Sequence, residues 1–195
     1  MNRRALLRGA GGLALGVSVA GCLSPVQWAN GGPIRAAGGQ SVLHPADQPY
    51  LNDDYRVRGE ESRRAWLLAD EPRREFFHPS IPEEDLRSLL LSLAQTDFDE
   101  QFVLFVEARM PVGERYFLGP TVFEDAEWTG FREAALPVRR SDAAHVSDPS
   151  FEGAEELVCT ALVRFEADTV PARATVEVYD EDGTRRERVP ADRLD

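Results

Sequence analysis

Residues 80–106 read SIPEEDLRSLLLSLAQTDFDEQFVLFV, and the hydrophobic period changes once within them. In the first half Leu86, Leu89, Leu90 and Leu93 recur three and four residues apart, which puts one apolar face on a helix from about residue 82 to 95. Ser80-Ile81-Pro82-Glu83 has the spacing of a capping box, in which the Ser80 hydroxyl and the Glu83 carboxylate satisfy free backbone amides at the helix start. Thr96-Asp97-Phe98-Asp99 ends the helix. In the second half Phe102 to Val106 is an unbroken run of β-formers, which predicts a central strand buried on both faces.

Working outward, Arg64 to Ala69 reads as a short strand, and Asp70-Glu71-Pro72 as a helix start with an acidic first turn. After Phe102–Val106, Pro111 and Gly113 mark a turn, and Arg115–Leu118 with Val122–Phe123 reads as a hairpin pairing back. From Glu155 to Glu166 the pattern alternates, with Leu157, Cys159, Ala161, Val163 and Phe165 on one face and Thr160, Arg164 and Glu166 on the other, as in a half-buried strand. Thr175–Tyr179, with Ala174, Val176 and Val178 inward, leads into Asp180-Glu181-Asp182-Gly183, and Asp-Gly suits a type I′ turn before a return strand Arg185–Val189. One or two helices before a run of strands imply an α+β domain: a mainly antiparallel β-sheet with one or two helices packed on one face.

The N-terminus carries an address. Arg3, Arg4 and Arg8 precede an apolar stretch, Gly9–Ala20, with no acid among them. That is the order of a secretory signal, and twelve residues fall short of the roughly 20 that a transmembrane helix needs. Arg3-Arg4 followed by Ala5-Leu6-Leu7 resembles the twin-arginine motif, an export signal. Val19-Ala20-Gly21-Cys22 resembles a lipobox, which implies that Cys22 carries a diacylglycerol and becomes the mature N-terminus. The expected organisation is a signal peptide over 1–21, the lipidated Cys22 and a flexible Gly-rich linker to residue 50, and one α+β domain over 51–195. Trp28, six residues beyond the lipid, is the one large apolar group in that linker placed to reach the headgroups.

Of 195 residues 34 are acidic, and all 22 basic ones are arginine. Removing the signal takes the formal charge from −12 to −15, which disfavours nucleic acid and anionic surfaces as partners. Acid excess without lysine is the composition of a protein kept hydrated in concentrated salt, where screening lengths of about 3 Å cancel most self-repulsion. Once Cys22 is lipidated only Cys159 remains, so no intrachain disulfide is available.

No catalytic constellation stands out. His44, His78 and His145 lack zinc-site spacing, and Cys159 falls in register with core residues, so neither a metal nor another cofactor is expected. Two acid clusters, Asp97-Asp99-Glu100 and Asp180-Glu181-Asp182, are the residues that would hold a hard cation or an acid/base pair. The second lacks the glutamate that closes a calcium loop and reads as a turn.

As a whole, the chain resembles a group of small twin-arginine-exported lipoproteins of halophilic archaea. Leu89–Glu107, where Asp97-Phe98 precedes the Phe102–Val106 strand, also resembles the β-rich PrcB-type protease-associated domain, although Val112-Gly113-Glu114-Arg115 stands where that family's Thr-Gly-Gly-Tyr turn would follow. That likeness implies a fold and transfers no site residue. The expected function is a lipid-anchored domain on the extracytoplasmic face of the membrane, a non-catalytic module binding an envelope protein or small ligand. The alternative is an envelope hydrolase or metal-dependent enzyme built on Asp97–Glu100. A pocket joining those acids to Arg109 or Arg115 marks the enzyme, an exposed apolar patch around a tryptophan such as Trp128 marks the binding module, and a purely structural envelope protein, the third reading, shows neither.

Overall fold

A computed structural model describes residues 25–59, 61–121 and 125–194. Arg3, Arg4 and Cys22 therefore lie outside the described residues, as do Val122 and Phe123. The predicted change of period at the end of the Leu-rich segment is where helix gives way to strand: α2 spans Glu83–Ala94 and β3 Gln101–Pro111. Before them come α1 (Pro25–Ala29), β1 (Arg35–Pro45) and β2 (Arg63–Leu68). After them come β4 (Tyr116–Pro120), β5 (Glu127–Gly130), β6 (Glu133–Asp142), β7 (Glu156–Glu166), β8 (Arg173–Tyr179) and β9 (Arg185–Leu194).

The strands form one mixed sheet in the order β1-β7-β3-β2-β9-β8-β6-β4, with β5 beside β6. Pairing is antiparallel except at β2–β9 and β6–β8. The sheet curls until β4, at one end, packs over β1 and β7, at the other. That closure is made without strand pairing: the Leu118 backbone N–H points at Cys159 Sγ, 3.3 Å away. Gly39 on β1 permits it, because a Cβ there would lie 2.5 Å from the Leu162 carbonyl oxygen and 3.2 Å from Pro120.

The curl separates two cores. Alternate residues of β3 (Phe102, Leu104, Val106) and of β7 (Leu157, Cys159, Ala161) face inward, where they meet Leu136 and Val138 of β6 and Val176 and Val178 of β8. On the outside, Val103 and Phe105 of β3, Leu162 of β7 and Trp66 of β2 pack under Leu89 and Leu93 of α2 and the aromatic loop residues Phe76 and Phe77. The fold is thus α+β and mainly antiparallel, with the one long helix of the described residues on one face. Among the described residues no helix is long and apolar enough to cross a membrane.

Several expectations are corrected. The segment read as a linker to residue 50 enters the fold at α1, and Arg35–Pro45 is a full strand paired with β7. Its paired glycines concealed it: Gly38 sits at a bulge with φ +133°, and Gly39 at the close approach just described. The capping box is not made. Pro82 occupies the N-cap with no side-chain bond, and the Ser80 hydroxyl instead meets His78 Nδ1 at 2.6 Å. The helix start at Asp70-Glu71-Pro72 is reduced to a single 3-10 turn, Arg74–Phe76. β4 pairs with β6 rather than back onto β3. β7 is buried on both faces, not one, because the outer core covers Thr160 and Leu162. The β8–β9 turn has positive φ at Gly183 alone, with the Gly183 amide bonded to the Asp180 carbonyl, so it is a type I turn with a glycine bulge rather than type I′.

Candidate functional site

The first acid cluster does not share a cleft with Arg109 or Arg115, the cations proposed to complete it. Asp99 and Glu100, just ahead of β3, share a cleft with Arg35, Glu166 and Asp168. Arg109 lies at the other end of β3, where it donates to the carbonyls of Gly59 and Val57 and stands 3.8 Å from Glu156. Arg115 joins the second cluster instead. With Tyr116, Arg140 and Asp142 it lines a cleft of about 520 Å³ that also holds Asp180, Glu181 and Asp182. Both arginines of that cleft, and Asp180, already have partners. Arg140 lies 4.0 Å over the Tyr116 ring and 3.6 Å from Asp180, Arg186 is bonded to Asp180, and Arg115 donates to the Val146 carbonyl at 2.7 Å. Among the described residues no three His, Cys, Asp or Glu side chains converge as metal ligands would.

Cys159 is fully buried, and burial pushes its thiol up to about 12, so it stays a protonated core group that accepts from the Leu118 amide. Trp128 is buried as well, its indole N–H donating to the Gly32 carbonyl at 2.8 Å. It therefore centres no exposed apolar patch of the kind that would mark the binding module.

Sequence reasoning missed two arrangements. The first is a closed polar chain between β1, β7 and β3. His44 is buried, and desolvation drives its pKa down to about 4, so the ring is neutral. Its Nδ1 lies 3.1 Å from the Pro45 carbonyl oxygen, which only accepts, so Nδ1 carries the hydrogen and Nε2 is the acceptor. The Thr160 hydroxyl, 2.9 Å from Nε2, then donates to His44 and turns a lone pair to Glu107 Oε1, 3.3 Å away. A protonated Glu107 completes that arrangement. Burial raises its pKa to about 7, against an opposing hydrogen bond from the Val57 amide and the charges of Arg56 and Arg109. The Val57 N–H donates to Oε2 at 2.8 Å, so a neutral Glu107 is satisfied at both oxygens. Tyr50 stacks on His44 with ring centroids 3.8 Å apart, and its hydroxyl donates to Asp85 of α2. His44, Thr160 and Glu107 are each nearly inaccessible to solvent, so the chain joins three strands and offers no opening to a substrate. Its sequence signal is weak, since Thr160 and Glu107 read only as polar positions on otherwise apolar strands.

The second arrangement is an exposed aromatic end. Trp28 is 78% and Phe131 75% exposed, and both lie where α1 meets the β5–β6 turn. Asn30 ties the two together. Its carboxamide N–H donates to the Val26 and Gly130 carbonyls, while its oxygen accepts from the Arg132 amide at 2.8 Å. Arg132, with φ 56°, closes the tight turn that throws Phe131 outward.

No family model, curated protein or solved structure matches the chain. Fold and site together define it as an α+β domain with a curled mixed sheet, a sealed polar interior and an aromatic end beside its N-terminal segment.

Proposed function

We propose that this protein is a lipid-anchored domain of the extracytoplasmic membrane face that acts as a non-catalytic binding or interaction module of the cell envelope. The observation that carries the reading is the order Arg3-Arg4, apolar Gly9–Ala20, Cys22, each part in the place that export and lipidation require. The resemblance to twin-arginine lipoproteins of halophilic archaea, and an acid-rich chain in which arginine is the only strong base, support it. The enzyme alternative needs Asp97–Glu100 beside Arg109 or Arg115, and those groups lie apart.

The test is recovery of the protein from membranes of the source cell, with native pull-down and mass spectrometry, against Cys22→Ser and Arg3-Arg4→Lys-Lys. The expected result is a diacylglycerol on Cys22, a reproducible co-purifying partner, release of Cys22→Ser from the membrane and failure of the double arginine variant to mature. Both variants fractionating and maturing as wild type overturns the reading.

A further inference from the structure

The distance between the anchor and the fold is short. Pro25 opens α1 only three residues after Cys22, and three residues of fully extended chain reach about 10 Å at most. The 22–50 spacer expected from the sequence would have allowed the domain to stand well clear of the bilayer. With α1 and β1 inside the fold, the domain has no such freedom, and the end that faces the lipid is the end that carries α1.

That end is also where apolar surface is left uncovered. Three large hydrophobic side chains are exposed among the described residues, and Trp28 and Phe131 share this end while Leu91 sits on α2. The Asn30 clamp holds helix and turn in a fixed relation, so the two rings are presented from a rigid base. Neighbouring charges are of both signs: Arg173 lies 3.4 Å from Glu133, and the Arg132 guanidinium donates to the Val170 carbonyl. Such a surface has no strong pull on anionic headgroups. Tryptophan and phenylalanine gain by leaving water for the headgroup and upper acyl region, and salt does not screen that gain.

We infer that the Trp28–Phe131 end is a membrane-contact surface, its two rings seated in the headgroup region of the same bilayer that holds the Cys22 lipid. This rests on the lipid-anchored reading above and adds an orientation to it: the mouth of the curl near α1 faces the membrane, and the cleft around Tyr116 and Arg140 is one of the surfaces left to partners.

The test uses the acylated protein purified from membranes and reconstituted into phosphatidylcholine vesicles whose acyl chains are brominated at shallow carbons. Trp66 and Trp128 are buried, so Trp28→Phe identifies the share of the emission that belongs to Trp28. The expected result is a blue shift and loss of the Trp28 emission in brominated vesicles, protection of that emission from aqueous acrylamide, and return of acrylamide quenching in Phe131→Ser. Mass spectrometry of the N-terminal peptide separates the two levels of the argument. A lipid present on Cys22, with Trp28 quenched by acrylamide as fully as in soluble Cys22→Ser protein, overturns the seat and leaves the anchor standing. An unmodified Cys22 overturns both.

Discussion

Glu107 on β3 and Glu177 on β8 both point to the outer side of the sheet, yet their surroundings drive them in opposite directions. Glu107 lies in the half covered by α2 and the loops of the outer core. Burial raises its pKa to about 7 and outweighs the charges of Arg56 and Arg109. Glu177 lies in the other half, where arginine side chains rather than an apolar layer lie over it. Partial burial works to raise its pKa, but the Tyr179 hydroxyl and the guanidinium groups of Arg188 and Arg185 outweigh it and hold the carboxyl below its ordinary range. Arg188 approaches to 2.6 Å and Arg185 to 3.0 Å. In the covered half the outer face is an apolar core with one neutral polar chain threaded through it. In the other half arginine stems and a charge cluster take the place of a core. The difference shows what a layer of helix does to a sheet: it converts the same side of neighbouring strands from a surface into an interior.

The largest effect that would test this contrast is expected at Phe105, whose ring packs against Phe76 with centroids 5.2 Å apart. Phe105→Ala opens a cavity under α2 and is expected to cost about 3–5 kcal/mol in urea unfolding. A loss below about 1 kcal/mol would mean that the covered half is not a packed core.

The two titrating groups of the polar chain come next. Glu107, an acid with a folded pKa above its unfolded value of 4.5, stabilises fully below about pH 4.5, and its contribution is lost as pH rises toward 7. His44, a base with a folded pKa below its unfolded value of 6.5, contributes fully above about 6.5 and is lost as pH falls toward 4. Between these limits the two slopes oppose and nearly cancel. Glu107→Gln keeps a donor for Thr160 and an acceptor for Val57 but removes one slope. Its stability is expected to rise with pH from 4 to 6.5, and above pH 7 to exceed wild type by on the order of 3 kcal/mol at most. Urea unfolding of both proteins from pH 4 to 8 checks this, and parallel profiles would refute a neutral Glu107.

Where the two halves meet, β4 closes over β1 and β7 without backbone pairing. Gly39→Ala pushes a methyl into the Leu162 carbonyl, and Cys159→Ala removes the acceptor of the Leu118 amide. Each is expected to cost about 1–3 kcal/mol, and hydrogen exchange should locate the loosening at β4. Protection loss confined to β2 and α2 would place the weak closure elsewhere. The smallest effect belongs to the half around Glu177. Arg188→Ala leaves Glu177 with Arg185 and Tyr179, so a loss of about 1 kcal/mol or less is expected, shrinking further in molar salt. A larger loss would make that charge cluster more than a surface feature.

How far the sequence could be read follows the same division. α2, β3 and the β8–β9 pair were legible because their signals are local: leucines at helical spacing, five successive β-formers, and an Asp-Gly turn between alternating strands. β1 was not, because its two glycines look like linker until the bulge and the Pro120 contact show their use. The aromatic end was half legible. Trp28 stood out by its distance from Cys22, but its companion Phe131 lies 103 positions away, and Trp128, whose exposure would have marked a binding patch, is buried and bonded to Gly32.

The sequence by itself determined the strongest local periods: that the leucine-rich segment turns as helix, and that Phe102–Val106 runs as a strand buried on both faces. These follow from backbone geometry, which repeats every 3.6 or 2 residues wherever the chain goes. It also carries Arg3-Arg4 and Cys22, the linear features on which the proposed export and lipidation rest. Only the tertiary structure decided that β4 joins β6, that β2 and β9 run parallel, that Glu107 meets Thr160 and His44, and that Trp28 and Phe131 share one end. Those outcomes depend on which apolar faces, distant in the chain, fit together once the sheet curls, and no local period encodes that fit.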